Sequence, residues 1–284
     1  MNLFTSFRNG CLTTAAALFL FAAPALAQEE TPPANGQNNA AYPTGSPAEN
    51  AEGGALRHHI SIGAAGVVKP DFEGADSYRV RPFPLVTYHN QYFFISTTRG
   101  AGVNVLRTPT MTAGPLVSYR FGRDENNSHL LRGLGDVDGG MEVGGFFNWQ
   151  FHPRFGTGIR ALHGTGNAEG FTADANLTYN QPLVTDLNFM LRTGAQFASE
   201  DYNEQFFGIT ERQSRHSGYD EYSPGSGIKH VSVSPMLNYR FFDNYTAGVF
   251  YEYKRLTGPA ADSPIVERGD ANQHSSGVSL TWSY

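Results

Sequence analysis

From residue 58 onward the chain alternates apolar and polar positions with a period of two, the repeat of a strand whose faces meet different surroundings. In Met141–His152, "MEVGGFFNWQFH", Met141, Val143, Phe147, Trp149 and Phe151 fall on one side and Glu142, Asn148, Gln150 and His152 on the other. Segments 170–181, 187–199, 229–242 and 244–254 repeat the pattern. These alternations outrun an average soluble strand and match the roughly 9–11 residues that a tilted strand needs to cross a bilayer. Twelve strands are predicted, over 58–69, 78–88, 91–98, 101–107, 111–121, 139–152, 154–164, 170–181, 186–199, 228–242, 244–256 and 274–284.

The connections alternate too. Every second one is short, around His89-Asn90, Thr108-Pro109, His152-Pro153, Gln181–Thr185 and Asp243, while 122–138, 200–227 and 257–273 are long and fall in the other set. Short turns at one end and long loops at the other is the layout of an outer-membrane barrel, with the short turns periplasmic. An even strand count places both ends of the sheet on that side. It requires 91–107 to be a hairpin, turning at Thr98–Ala101, rather than one long strand. Aromatic residues gather near the strand ends, as interfacial girdles would. The competing all-β reading, a soluble sandwich, does not account for long strands and asymmetric loops together. The fold expected is thus a transmembrane antiparallel β-barrel over 57–284. The final stretch "GVSLTWSY" is its closing strand, with Val278, Leu280 and Trp282 facing lipid and Tyr284 at the periplasmic interface. A terminal aromatic on an alternating strand resembles the signal read by the barrel-assembly machinery.

Composition changes the picture at the N-terminus. Arg8 followed by "CLTTAAALFLFAAPALA" reads as a signal peptide over 1–27, cleaved between Ala27 and Gln28. Cys11, the one cysteine, leaves with it, so disulfides, thiol catalysis and thiolate metal sites are not expected. Residues 28–56 are rich in Pro, Asn, Gly and Ala and read as a disordered periplasmic extension. No later apolar run approaches the 18 residues of a spanning helix. A mean hydropathy of −0.36 suggests a soluble protein, yet 32 Gly, 21 Phe and 14 Tyr against 16% charged residues fit a barrel whose apolar outside and polar inside average out. The net charge of −6 gives no basic footprint for nucleic acid.

Chemistry is sparse. Arg79, Arg81, Glu142, Arg160, Asp174, Arg192, Arg240, Glu252 and Lys254 fall on the polar, lumen-facing side. They read first as ion pairs that fill or solvate the interior, and second as the lining of a channel. A hydrolase needs a serine, a histidine base and an orienting group within reach. Ser232 and Ser234 share a face with His230 but lack a third partner, and His129, His163, His216 and His274 are scattered. His58-His59 is a lone pair without a third ligand. The Gly-rich stretches "GGMEVGG" and "GTGIRALHGTG" lack the helix and the Lys-Ser/Thr of a phosphate loop. No enzyme, cofactor or metal is expected. The loop 200–227, the longest, carries Phe206, Phe207, Tyr219 and Tyr222 and is expected to cap or fold into the outer mouth.

Several segments carry a family resemblance: "PDFEGADSYRVRPFPLVTY" with "YFFIS" and "GAGVNV", then "YNEQFFGIT" and "SGYDEYSPGSGIKHVSVSPMLNYRF", then "ADSPIVERGDANQHSSGVSLTWSY". In this order and spacing, over 58–284, the chain resembles the MipA/OmpV family of Gram-negative outer-membrane proteins. The resemblance implies a non-enzymatic barrel embedded in outer-membrane lipid. MipA-like members are scaffolds that link a lytic transglycosylase to a bifunctional murein synthase. OmpV-like members are associated with adhesion, osmotic response and antigenicity. It implies no catalytic motif.

Overall fold

The computed structural model describes residues 58–284. The expected leader, its Ala27–Gln28 cleavage point and the extension 28–56 lie outside them. The strands are β1 (His59–Pro70), β2 (Tyr78–His89), β3 (Phe93–Ser96), β4 (Gly100–Val103), β5 (Leu106–Arg107), β6 (Met111–Arg120), β7 (Gly140–His152), β8 (Phe155–Gly164), β9 (Phe171–Val184), β10 (Leu187–Ala198), β11 (Gly227–Phe241), β12 (Tyr245–Leu256) and β13 (Asn272–Ser283). All belong to one antiparallel sheet, ordered β4-β3-β2-β1-β13-β12-β11-β10-β9-β8-β7-β6-β5, with β4 also pairing β6. Because β4 and β5 both lie on β6, they share one position in the wall, and the barrel has twelve staves.

Closure is the step that lets such a sheet enter lipid, where an unpaired strand edge is not tolerated. β1 meets β13 from Ser61↔Ser283 to Val68↔Ser276. Ile60 N donates to Tyr284 O at 3.1 Å and Tyr284 N to Ile60 O at 2.9 Å, so the last residue is still in the ladder. Among the described residues no helix is long and apolar enough to cross a membrane.

Two predicted strands come out differently. The third, expected over 91–98, is reduced to Phe93–Ser96 because Asn90 Oδ1 accepts from the backbone N–H of Tyr92 and Phe93, at 2.8 and 2.9 Å, and holds 90–92 as a turn. The fourth, expected over 101–107, breaks after Val103. There Asn104 N turns to Tyr92 O at 2.6 Å while Val105 N takes Ala113 O at 2.9 Å, so neighbouring residues bond to opposite sides.

The short β3–β4 hairpin leaves a notch in the wall. β2 has twelve residues, yet β3 pairs only with Thr87, Tyr88 and His89. Thr97 extends the contact: its N donates to Val86 O at 3.0 Å, and Val86 N donates to its Oγ1 at 3.2 Å. Even-numbered residues of β2 therefore aim their backbone groups at this side. Two of them beyond the hairpin are Pro82 and Pro84, which have no N–H to leave unpaired. Proline at an edge is how natural sheets blunt one.

Inside the wall, side chains form layers. Midway along the strands inward apolar side chains form two separate clusters on facing walls, one of Met190, Met236, Phe250, Leu85, Ala65 and Val67 and one of Phe94, Leu116 and Leu162 with Phe146. Towards the long loops the inward positions are charged; towards the short turns they are amides and hydroxyls, with the His59–His89 pair and Arg240 at the rim. The rings need glycine behind them. A Cβ on Gly277, opposite Phe250 in the ladder, would lie 2.6 Å from Phe250 Cε1 and 2.7 Å from Gly66 O. Gly277→Val is therefore expected to cost about 1–3 kcal/mol by overpacking and to lower the unfolding midpoint of the barrel in detergent. Gly66→Val, whose added Cβ meets nothing within 4 Å, leaves it in place.

Candidate functional site

The long connections 71–77, 121–139, 199–226 and 257–271 fold together over one mouth of the barrel. The longest holds two helices, α1 (Glu200–Phe207) and α2 (Glu211–Ser217). Ser199 caps α1 by accepting from Tyr202 N, and Glu200 and Asp201 sit in its first turn, where the helix dipole favours anions. Tyr202, Asn203, Phe206 and Phe207, at helical spacing, form its buried face. Thr210 and Gln213 make a reciprocal capping box on α2, which ends at the left-handed Gly218. Two short helices follow β12: α3 (Gly258–Ala261) and α4 (Pro264–Arg268).

These pieces bury two apolar clusters. One joins Phe72, Leu131, Leu134, Ile209, Tyr219 and Ile265, drawn entirely from the four connections. The other joins Tyr202, Phe206, Phe207, Ala260 and Val266 to Ala198 and Leu256 at the strand ends. Polar ties span the segments. Tyr219 Oη donates to Leu130 O at 3.0 Å, Ser263 Oγ to Phe207 O at 2.8 Å, and Arg123 Nη1 to Phe206 O at 2.6 Å. Burial lowers the Arg123 pKa to about 10, which leaves it charged at neutral pH. The loop 200–227 thus folds over the mouth, as a helical cap.

Beneath the cap lies a buried ion network. Glu73, from the β1–β2 connection, receives Lys229 Nζ at 2.9 Å and Lys254 Nζ at 3.5 Å, with His230 Nδ1 at 3.8 Å. Lys229 also donates to Tyr202 Oη at 2.7 Å. The Tyr202 ring is in contact with two cations, Lys229 at 4.6 Å and Arg120 at 4.5 Å. Arg120 grips Glu142 at 2.9 and 2.6 Å. Burial by itself raises the Glu73 pKa, but Lys229 and Lys254 outweigh it and hold the carboxyl below the ordinary value. The network fastens the first loop and α1 to β6, β7, β11 and β12.

The candidate lumen charges are distributed along this interior. Arg160 meets Asp174 at 3.1 Å, whose other oxygen accepts from Gln196 at 2.9 Å. Glu252 accepts from Ser234 Oγ at 3.3 Å. Arg81 is buried, and Arg192 faces inward from β10 between them. Arg79 lies at the rim, bonding Asp71 and, at 2.7 Å, Asn127 O. Arg240 stands apart at the short-turn end, 3.7 Å from Asp186. Strict alternation misses Lys229, which it would turn outward. A register shift at Gln196/Phe197 brings both Lys229 and His230 inside. Glu73 carries no signal in its loop beyond the acidic side chain itself.

The remaining candidates do not converge. His230 faces Glu73 and Ser234 faces Glu252, so they do not form a charge-relay pair. His59 stacks near His89 at 4.7 Å, His58 bonds Tyr88 Oη at 2.6 Å, and His274 bonds Tyr251 Oη at 2.7 Å. Among the described residues no three His, Cys, Asp or Glu side chains gather to hold a metal. Glu73→Gln would leave two buried lysines without their anion, a change worth about 3–5 kcal/mol. Faster hydrogen exchange in 71–77 and 199–226 is the expected readout. Glu73 is more acidic folded than unfolded, so its contribution is complete above the ordinary value of 4.5 and is lost as pH falls below it. Native protein is expected to show that acid step in cap exchange, and the Gln variant to lack it.

Comparison with known proteins places this architecture. The MltA-interacting protein of Escherichia coli K12 is 26% identical over 230 residues, 77% of this chain and 88% of its own. YiaT from the same strain is 21% identical over 230 residues, 79% of this chain and 92% of its own. Among solved structures, the NanC porin aligns with a TM-score of 0.45 at 11% identity, covering 78% of this chain and 98% of that one. The family model described as MltA-interacting protein MipA matches residues 62–284, and the chain belongs to that family of outer-membrane barrels.

Proposed function

We propose that this protein is a non-conducting structural barrel of the outer membrane. Its short-turn end faces the periplasm and serves as a platform for a lytic transglycosylase and a bifunctional murein synthase. The observation that carries this reading is the packed cap that closes one mouth of the barrel. Two apolar clusters close the cap, an ion network locks it down, and two separate clusters of inward apolar side chains line facing walls below it. A diffusion pore needs a continuous wet path, and loops held at this many points do not supply one. The name of the MltA-interacting relative supports the choice of partner. Among the described residues His230 faces Glu73 and Ser234 faces Glu252 rather than each other, which favours reading the barrel as a binding protein.

In planar bilayers the purified chain is expected to give no steady ion current, while affinity capture from detergent-solubilised envelope retains a lytic transglycosylase. Stable conductance with no such capture would overturn the proposal. Assembly is assigned to the terminal strand. Outward Val278, Leu280, Trp282 and Tyr284 form an aromatic-ended signal for the barrel-assembly machinery, and Tyr284 completes the ladder with Ile60. Deleting Tyr284 is expected to reduce heat-modifiable barrel in outer-membrane fractions; unchanged levels would count against the assignment.

A further inference from the structure

Charge is common inside this barrel and almost absent from its lipid-facing side. Of the charged residues in the strands, all but one take inward positions in the alternation. The exception is Arg255 on β12. It continues the outward series of Val249, Tyr251 and Tyr253 and is exposed. An outward charge is costly at the middle of a bilayer and cheap near its interfaces. Arg255 is the last residue but one of β12, on the long-loop side of the two tyrosines, and so stands at the level of the lipid headgroups.

Its neighbours hold it without neutralising it. On β13 Arg255 faces Asn272, and Tyr253 faces His274. Arg255 Nη1 and Tyr253 Oη both donate to Asn272 Oδ1 at 2.7 Å, while Asn272 N and Nδ2 donate to Asp270 Oδ1 at 2.7 and 3.0 Å. The carboxylate is therefore one residue removed from the guanidinium, which has further donors to offer. His274 is the second polar group of this patch. It is exposed, its Nδ1 lies 2.7 Å from Tyr251 Oη, and its ring is 5.4 Å from that of Tyr253. With Tyr251 donating to Nδ1, Nε2 carries the proton and is a donor. Arg255 and His274 are diagonal neighbours across the two strands, about 7–8 Å apart at the backbone and within reach of one another's side chains. Tyr78 closes the far side, its Oη accepting from His274 N at 3.4 Å.

We propose that this outward patch on β12 and β13 holds the phosphate of an outer-leaflet lipid. A guanidinium matches a phosphate with paired, charge-assisted hydrogen bonds, and His274 supplies a donor from the other strand. Directly below, Val249 faces Val278 and Ala247 faces Leu280 across the same two strands, an apolar bed for the acyl chains of the same molecule. Cationic side chains beside interfacial aromatics are how membrane proteins recognise anionic headgroups. The other outward histidine of the long-loop half, His163, has no such setting, since its ladder partners are Val143 and Phe171. The acids near Tyr78, Asp270 and Asp76, belong to the connections above the wall and would repel a phosphate if Arg255 and His274 were neutralised. The proposal takes from the structural-barrel reading only its orientation, long loops outward, and does not depend on the partners of the platform.

The test titrates the full chain in detergent micelles with lipid A and with the same lipid stripped of its phosphates, read by native mass spectrometry. Unaltered protein is expected to bind the phosphorylated lipid about ten-fold or more tightly, with the advantage shrinking as salt is raised. This arm needs no variant to fold. Arg255→Gln/His274→Gln is expected to lose the preference and His163→Gln to keep it, with heat-modifiable mobility retained in both. Inorganic phosphate at the concentration of the lipid is expected not to displace it; displacement would assign the patch to the free ion and overturn the lipid site. Equal binding of the two lipids by unaltered protein, or a preference that survives the double variant, would overturn it as well. Transglycosylase capture by the same preparation keeps the two readings apart: capture without a phosphate preference sinks the lipid site alone, and the preference without capture sinks the platform alone.

Discussion

In hydrocarbon a backbone N–H or C=O has no water to turn to, and each one left alone costs several kcal/mol. Everything else in this protein follows from meeting that demand with strands. The sheet must close, so β13 must return to β1, and the ladder runs to the final residue through Tyr284 and Ile60. Closure then fixes side-chain direction. One set of alternate positions faces lipid and must be apolar; the other faces inward and is free to carry charge, amide or ring. The varied interior is possible because the wall, outside the notch beside the β3–β4 hairpin, satisfies its own backbone.

The upper interior is best understood as a fastening. A cap built from loops has little ladder of its own, and its two apolar clusters could slide as a raft over the mouth. Glu73 prevents that by reaching down to Lys229 and Lys254 on adjacent strands, and Tyr202 by lying against Lys229 and Arg120 from different walls. Buried ion pairs of this kind add little net stability compared with apolar packing, but they are costly to misplace. That cost sets the register of cap on barrel.

Much of this could be read in the sequence because alternation is a strong signal over ten residues and more. The long strands, the short-turn end and the inward parity of Glu142, Asp174 and Glu252 all follow from it. Where two neighbouring residues break the alternation, reading fails for a physical reason. The register shift opposite Phe197 brings Lys229 inside next to His230, and Asn104 diverts the chain so that one expected strand becomes β4 and β5. The cap helices were not anticipated, 200–227 being expected only as a loop, although local signals for them exist. Ser199 before Glu200-Asp201, and Thr210 with Gln213, are cap signatures, but without the tertiary contacts of Phe206 and Phe207 segments of eight and seven residues are too short to hold as helices. Glu73 has no local signature, because its partners lie more than a hundred residues away.

The notch above the β3–β4 hairpin bears on how copies of this chain behave when crowded together in a membrane. A strand edge with a full set of donors recruits the next strand it meets, whether from the same chain or from a neighbour still inserting. Pro82 and Pro84 remove two donors from the edge of β2 that β3 does not cover. A partly folded neighbour that collides there meets a ladder interrupted at Pro82 and Pro84, which discourages domain exchange and edge-to-edge stacking at this edge. The prolines thus act as a kinetic safeguard, keeping each polypeptide to its own barrel while many are being assembled side by side.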